Sequence, residues 1–171
     1  SGTSINSVGA NAQVIAQNLV MNATAGSIGS VLAPLKIDLQ TAGTLTANAT
    51  NNIALWEQTG DLNVVRAYGG ASDTDTVWLK SDGDIVNGAV INTDAVRGGN
   101  IQLLSDNGAI GTGAKAMLIN TTSTAGDVSA AADSDIYLTE RTGDLRIQDI
   151  SALAGNVTLT ALNGSITDSN A

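Results

Sequence analysis

Glu57 and Glu140 are the side chains in this sequence that most invite a catalytic reading, because glycosidic cleavage runs on a pair of carboxyl groups. Both belong to one pattern. Ile53, Leu55, Glu57, Thr59, Gly60, Asp61 and Leu62 return in the same order and spacing as Ile136, Leu138, Glu140, Thr142, Gly143, Asp144 and Leu145. Four structural repeats at β-strand spacing would separate the two glutamates by about 19 Å, whereas a catalytic pair needs roughly 5–9.5 Å. They are expected to be one exposed position beside Thr-Gly, seen twice. Asp73 and Asp75 stand in the polar loop Gly69-Gly-Ala-Ser-Asp-Thr-Asp-Thr76, where oxygen ligands at i and i+2 suit calcium. The glycine-rich nonapeptide of calcium β-rolls is absent, so a solvated turn is the first reading and calcium the second. Asp61, Asp84, Asp127 and Asp144 each follow a glycine and read as turn caps.

Trp56 and Trp78 each stand between inward apolar residues and are expected to point outward, either packed under a loop or presenting a ring to a sugar or a neighbouring molecule. Five Asn-x-Ser/Thr triplets, at Asn22, Asn48, Asn120, Asn156 and Asn163, slightly exceed chance. Thr44-Leu-Thr46 and Thr158-Leu-Thr160 are too interrupted by Asp38, Gln102 and Tyr137 for an ice-binding array.

The 171 residues include no cysteine and no histidine, which removes disulfides, thiolate metal sites, thiol nucleophiles and the usual imidazole base. A formal charge of −9 with seven Lys plus Arg weighs against nucleic acid as a partner. No run approaches the roughly 18 apolar residues of a membrane helix, so membrane insertion is not expected. No cofactor is implied beyond the calcium alternative. Ser1 is not preceded by an initiator Met, as expected of a processed chain or a segment of a longer one.

The elements that position these residues are marked by glycine. Gly-x-(Ile/Leu/Val) occurs at Gly26, Gly43, Gly60, Gly83, Gly108, Gly126, Gly143 and Gly164, at intervals of about 17–25 residues, in the range of a solenoid repeat. Gly9 is a candidate for an earlier turn. Most marks follow an alternating pair such as Ile37-Asp-Leu39, Ile53-Ala-Leu55, Val77-Trp-Leu79 or Ile101-Gln-Leu103, the period-2 signature of a strand with one buried face. Met117-Leu118-Ile119 fits less well. Glycine with Asn and Asp supplies the positive φ of sharp corners.

Strand, corner, strand and loop in units of about 17–25 residues read as an all-β, right-handed parallel β-helix of about eight coils. A longer repeat of roughly 83 residues overlies these units and divides the chain into two copies, approximately 19–100 and 101–171. Each copy would make about four coils of a single segment covering 1–171. Length variation is expected in Arg66 to Thr76 and Asn87 to Gly98, projecting from one corner, and Pro34 in a loop.

These repeated Gly-Asp/Ser-Ile/Leu blocks, with Val157-Thr-Leu-Thr-Ala161, resemble the shafts of filamentous-haemagglutinin-type proteins and the repeat regions of other giant bacterial surface adhesins. The resemblance implies a secreted, extracellular rod at the bacterial cell surface that holds adhesive parts away from the cell. The expectation is a non-enzymatic spacer whose partners are its own neighbouring repeats, through end-to-end or lateral association, and surface glycans or matrix polymers. The alternatives are a carbohydrate-active β-helix, which needs clustered Asp, Lys or Arg where Lys36, Lys80 and Lys115 are scattered, and a calcium-stiffened matrix module.

Overall fold

A computed structural model describes residues 4–6 and 13–170, so the turn expected at Gly9 lies outside the described residues. Every regular element among them is a β-strand. In chain order these are β1 (Gln13–Ala23), β2 (Leu35–Ala49), β3 (Ile53–Glu57), β4 (Leu62–Tyr68), β5 (Thr76–Ser81), β6 (Ile85–Asn87) and β7 (Val96–Gly98). There follow β8 (Asn100–Ser105), β9 (Met117–Thr121), β10 (Val128–Ala132), β11 (Ile136–Glu140), β12 (Leu145–Ala152), β13 (Val157–Ala161) and β14 (Ile166–Asp168).

All named strands pair in parallel, and the pairing resolves into two ladders. The first ladder stacks the leading halves of β1 and β2 with β3, β5, β8, β10, β12 and β14. The second stacks their trailing halves with β4, β6 and β7, β9, β11 and β13. The chain alternates between ladders, and each return adds one turn, giving a β-solenoid of about seven turns rather than eight.

The glycine count overestimates the turns because its marks fall on both ladders. Ile28, after Gly26, bridges Ile53 on the first ladder, whereas Leu45, after Gly43, pairs on the second, so these two successive marks lie inside one turn. The coil itself varies in length. Among the paired strands it is short from Leu45 to its stacked partner Val64, and longest from Ala67 to Val96, where residues 88–95 are inserted.

The core lies between the ladders as rows of like aliphatics. Leu35, Leu55, Leu79, Leu103 and Ala130 form one row; Leu62, Ile85, Ile110, Ile136 and Val157 form another. A coil alone cannot bury these side chains, but stacking at about 4.8 Å covers each by its neighbours. Leu55, Leu79, Leu103, Ile85, Ile110 and Ile136 are all fully buried. Met117 and Ile119 are fully buried in β9, so the segment that fitted the repeat less well is a regular strand. Pro34 lies in a loop, as expected.

The long loops are shorter than their expected bounds and do not share a corner. Arg66 to Tyr68 belong to β4, and Val96 to Gly98 form β7. Residues 69–75 join the second ladder to the first, whereas residues 88–95 interrupt the second ladder between β6 and β7.

Candidate functional site

Inward position 57 breaks the aliphatic rule. On the first ladder Glu57 stacks between Ile37 and Ser81, and on the second Glu140 stacks between Ile119 and Ala161. Both glutamates are fully buried, which corrects the expectation of an exposed repeat position. Period-2 alternation dictates this, since Ile53, Leu55 and Glu57 share a face; the charge is tolerated because the corner supplies donors. The Leu39 N–H donates to Glu57 Oε1 and Oε2 at 3.1 and 3.0 Å, and the Thr59 N–H donates to Oε1 at 3.4 Å. Glu140 Oε2 accepts from the Thr121 N–H and Oγ1, both at 3.1 Å, and its Oε1 accepts from the Thr142 N–H at 3.2 Å. Each carboxyl thus ties its own corner to the coil beneath. Desolvation outweighs these bonds: Glu57 is pushed up to about 7, and Glu140 is raised by the same cause.

The two glutamates lie on different ladders. Between β3 and β11 the chain changes ladder seven times, so the long repeat spans three and a half turns, not four. A rise of about 17 Å at strand spacing is combined with a half-turn about the axis. The two carboxyls face opposite corners and form no pair. Backbone conformation carries the same period: Gly29 and Gly111 have φ of 66° and 67°, and Gly60 and Gly143 have 78° and 83°. Gly29 and Gly111 each open a short detour, closed by Ser30 with Ala33 and by Thr112 with Lys115, before the strand resumes.

Each buried glutamate backs a groove. The first, about 430 Å³, lies between residues 39–43 and Thr59, Gly60, Asp61 and Asn63, with Val86 at one end. The second, about 320 Å³, lies between residues 121–124 and Thr142, Gly143, Asp144 and Arg146. They are repeat equivalents.

Of the eight corner glycines, only Gly60 and Gly143 take a positive φ. Gly83 serves another need: a Cβ there would lie 2.5 Å from Asp61 Oδ1 and 2.8 Å from the Gly60 carbonyl of the coil beneath. The same crowding by the neighbouring coil meets a Cβ at Gly43, Gly108, Gly126 and Gly164. Gly26 lies in the turn that leads to Ile28. Close stacking, more than backbone twist, selects glycine at these corners.

The corner aspartates cap across coils. Asp61 Oδ1 accepts from the Asp84 N–H (2.9 Å), Asp84 Oδ1 from the Ala109 N–H (2.7 Å) and Asp144 Oδ1 from the Ser165 N–H (2.7 Å), while Asp127 faces Arg146 at 3.5 Å. Asp127 and Asp144 precede strands of the first ladder, and sequence reasoning missed that Ser and Asn take this place in its earlier coils: Ser27 Oγ accepts from the Asn52 N–H, Asn52 Oδ1 from the Thr76 N–H and Asn100 Oδ1 from the Asp127 N–H. The signal was present. A Ser, Asn or Thr directly precedes Ile28, Ile53, Val77 and Ile101 on that ladder, as Asp135 and Asn156 precede Ile136 and Val157 on the other.

Asp75 braces its own loop, its Oδ2 accepting from the Ser72 N–H at 3.2 Å. Asp73 is exposed beside it, and no group of three or more His, Cys, Asp or Glu is placed to hold a metal ion among the described residues. Trp56 and Trp78 face outward and are half-buried; Lys36 and Lys80 lie over the Trp56 ring, 5.5 and 5.0 Å from its centroid. Asn48 Nδ2 donates to Asn22 Oδ1, and Asn120, Asn156 and Asn163 donate to Asp94, Asp135 and the Arg141 carbonyl.

No family model, curated protein or solved structure matches the chain.

Proposed function

We propose that the chain is a stiff structural spacer, a length of rod from a secreted bacterial surface adhesin or extracellular filament that contributes to cell-surface or matrix attachment. The observation that carries this reading is the parallel stacking of two ladders around one aliphatic core through about seven turns. Such a body transmits load along its axis through rows of backbone hydrogen bonds and lengthens by adding coils.

One, two and three copies fused in tandem, measured by small-angle X-ray scattering, test the mechanical part. The longest dimension should grow by about 34 Å per copy, seven coils at strand spacing, at constant cross-section; folding back or a widening cross-section would refute it. Antibodies against the folded chain test the placement. Labelling of intact source cells is expected, and labelling only after lysis would overturn it.

A further inference from the structure

We propose that Asn163 and Asn107 are sites of spontaneous deamidation, a self-modification that loosens the stack at two of its corners. Asparagine before glycine is the labile pairing, since no Cβ hinders the following backbone nitrogen from reaching the side-chain carbonyl carbon. The chain has three such pairs, Asn87–Gly88, Asn107–Gly108 and Asn163–Gly164, and the fold treats them differently. Gly88 donates its N–H to the Val64 carbonyl at 2.8 Å. Asn87 is 3% exposed and its amide is held at both ends, Nδ2 on the Ala116 carbonyl (2.7 Å) and Oδ1 on the Ala89 N–H (3.0 Å). By contrast, the Gly108 and Gly164 N–H groups donate to nothing among the described residues. Asn107 and Asn163 are exposed, and each side chain is held by one bond, from Nδ2 to Asp82 Oδ1 at 3.0 Å and to the Arg141 carbonyl at 2.8 Å.

The step needs only water. Gly164 N gives its proton to hydroxide and bonds to Asn163 Cγ; the Cγ–Nδ2 bond breaks, and Nδ2 takes a proton from water and leaves as ammonia. Water then opens the cyclic imide at either carbonyl, giving aspartate, or isoaspartate with the main chain rerouted and lengthened through the side-chain carbon. Asn107 and Gly108 react in the same way. At Asn87 the reaction would break the Gly88 bond and both amide bonds inside the core, each loss adding to the barrier. Gly164 is exposed and Gly108 buried, so Asn163 reacts first and Asn107 follows through local opening of its corner. The products do not fit. At position 107 a carboxylate replaces the amide donor and meets the Asp82 carboxylate of the coil beneath, a like-charge contact. At position 163 it meets the Arg141 carbonyl oxygen without a proton to offer. Nor is there room for a longer main chain: a Cβ at Gly108 would collide with Asp84 Oδ1, and one at Gly164 with the Gly143 carbonyl oxygen. Isoaspartate at 107 thus displaces the neighbouring cap, the 2.7 Å bond from the Ala109 N–H to Asp84 Oδ1. This goes beyond the spacer reading and fails separately from it, since a rod with stable corners is still a spacer.

The test is storage of the intact chain in warm, neutral buffer, sampled over weeks. Trypsin puts the three asparagines in separate peptides, 81–97, 98–115 and 147–171. Mass spectrometry with electron-transfer fragmentation then measures deamidation at each and separates aspartate from isoaspartate. Asn163 should convert first and Asn107 second, both at least tenfold faster than Asn87. In urea, where no fold protects Asn87, the three rates should converge. Equal rates in the folded chain, an Asn87 rate above either of the others, or conversion of Asn107 and Asn163 only in urea would each overturn the proposal. Each event adds one negative charge, so ion exchange separates the products. The fraction modified at Asn107 should melt below the unmodified chain, whereas the double variant Asn107→Gln, Asn163→Gln, whose longer side chains close the ring far more slowly, should keep its melting temperature on storage. A modified fraction that melts with the unmodified chain, or a double variant that weakens on storage as fast as the parent, would also overturn it.

Discussion

Burial of Glu57 raises its carboxyl from an unfolded value near 4.5 to about 7, so between these limits the folded chain holds a proton that the unfolded chain has released. Stability from this group is therefore complete below about pH 4.5 and is lost as pH rises through 7, by roughly 3 kcal/mol at about 1.4 kcal/mol per pKa unit. Glu140 acts in the same direction. Asp135 opposes them at the acid end: the Asn156 N–H holds its carboxyl below the ordinary value, so its contribution is lost as pH falls through that depressed range. Urea unfolding should give higher stability at pH 5 than at pH 8, with Glu57→Gln flattening the slope; equal stability at both would refute the buried-acid account. The burial itself was legible, because Glu57 keeps the parity of Ile53 and Leu55. What was not legible was the set of N–H donors at the corner that makes an inward carboxyl tolerable.

At the scale of the strand and its corner, the unit is a capped strand whose first inward residue follows a side-chain acceptor. Asp84→Ala removes the acceptor of the Ala109 N–H, and a cost of about 1–2 kcal/mol is expected for this partly buried bond. Asp73→Ala, at an exposed loop position, should stay within about 0.5 kcal/mol; equal costs for the two would remove the inter-coil role of the caps. Leu55→Asp forces an unpaired charge between Leu35 and Leu79 and should unfold the chain. A cooperative melt near the parent temperature would show that this row is wrongly registered. Strands were readable because parity and aliphatic composition are local. Ladder membership was not, because nothing in Gly-x-Ile distinguishes a strand entering the first ladder from one entering the second. That ambiguity turned three and a half turns into four.

Across the whole molecule, stability is a chain of nearest-neighbour terms, each coil depending on the one above and the one below. The inward rows show this directly. Ile136 and Leu145 are fully buried, while Val157 and Ile166, stacked on them from the last described coil, are 43% and 49% exposed. Half their apolar contact is missing, so β13 and β14 should open far more readily than β5 and β8, which are covered on both sides. Hydrogen exchange at neutral pH is expected to rank amide protection in that order, with opening free energies rising from near zero in β14 to the global value in β5 and β8. Leu79→Ala should lower protection everywhere, at a cost of about 2–5 kcal/mol for an interior leucine, because a central coil links both halves of the stack. Leu159→Ala, in the partly covered coil, should lower protection only in β11 to β14. Uniform protection along the chain, or a global loss on Leu159→Ala, would mean that the molecule folds as one indivisible core. It would then lack the additive construction that lets a rod be lengthened without redesign.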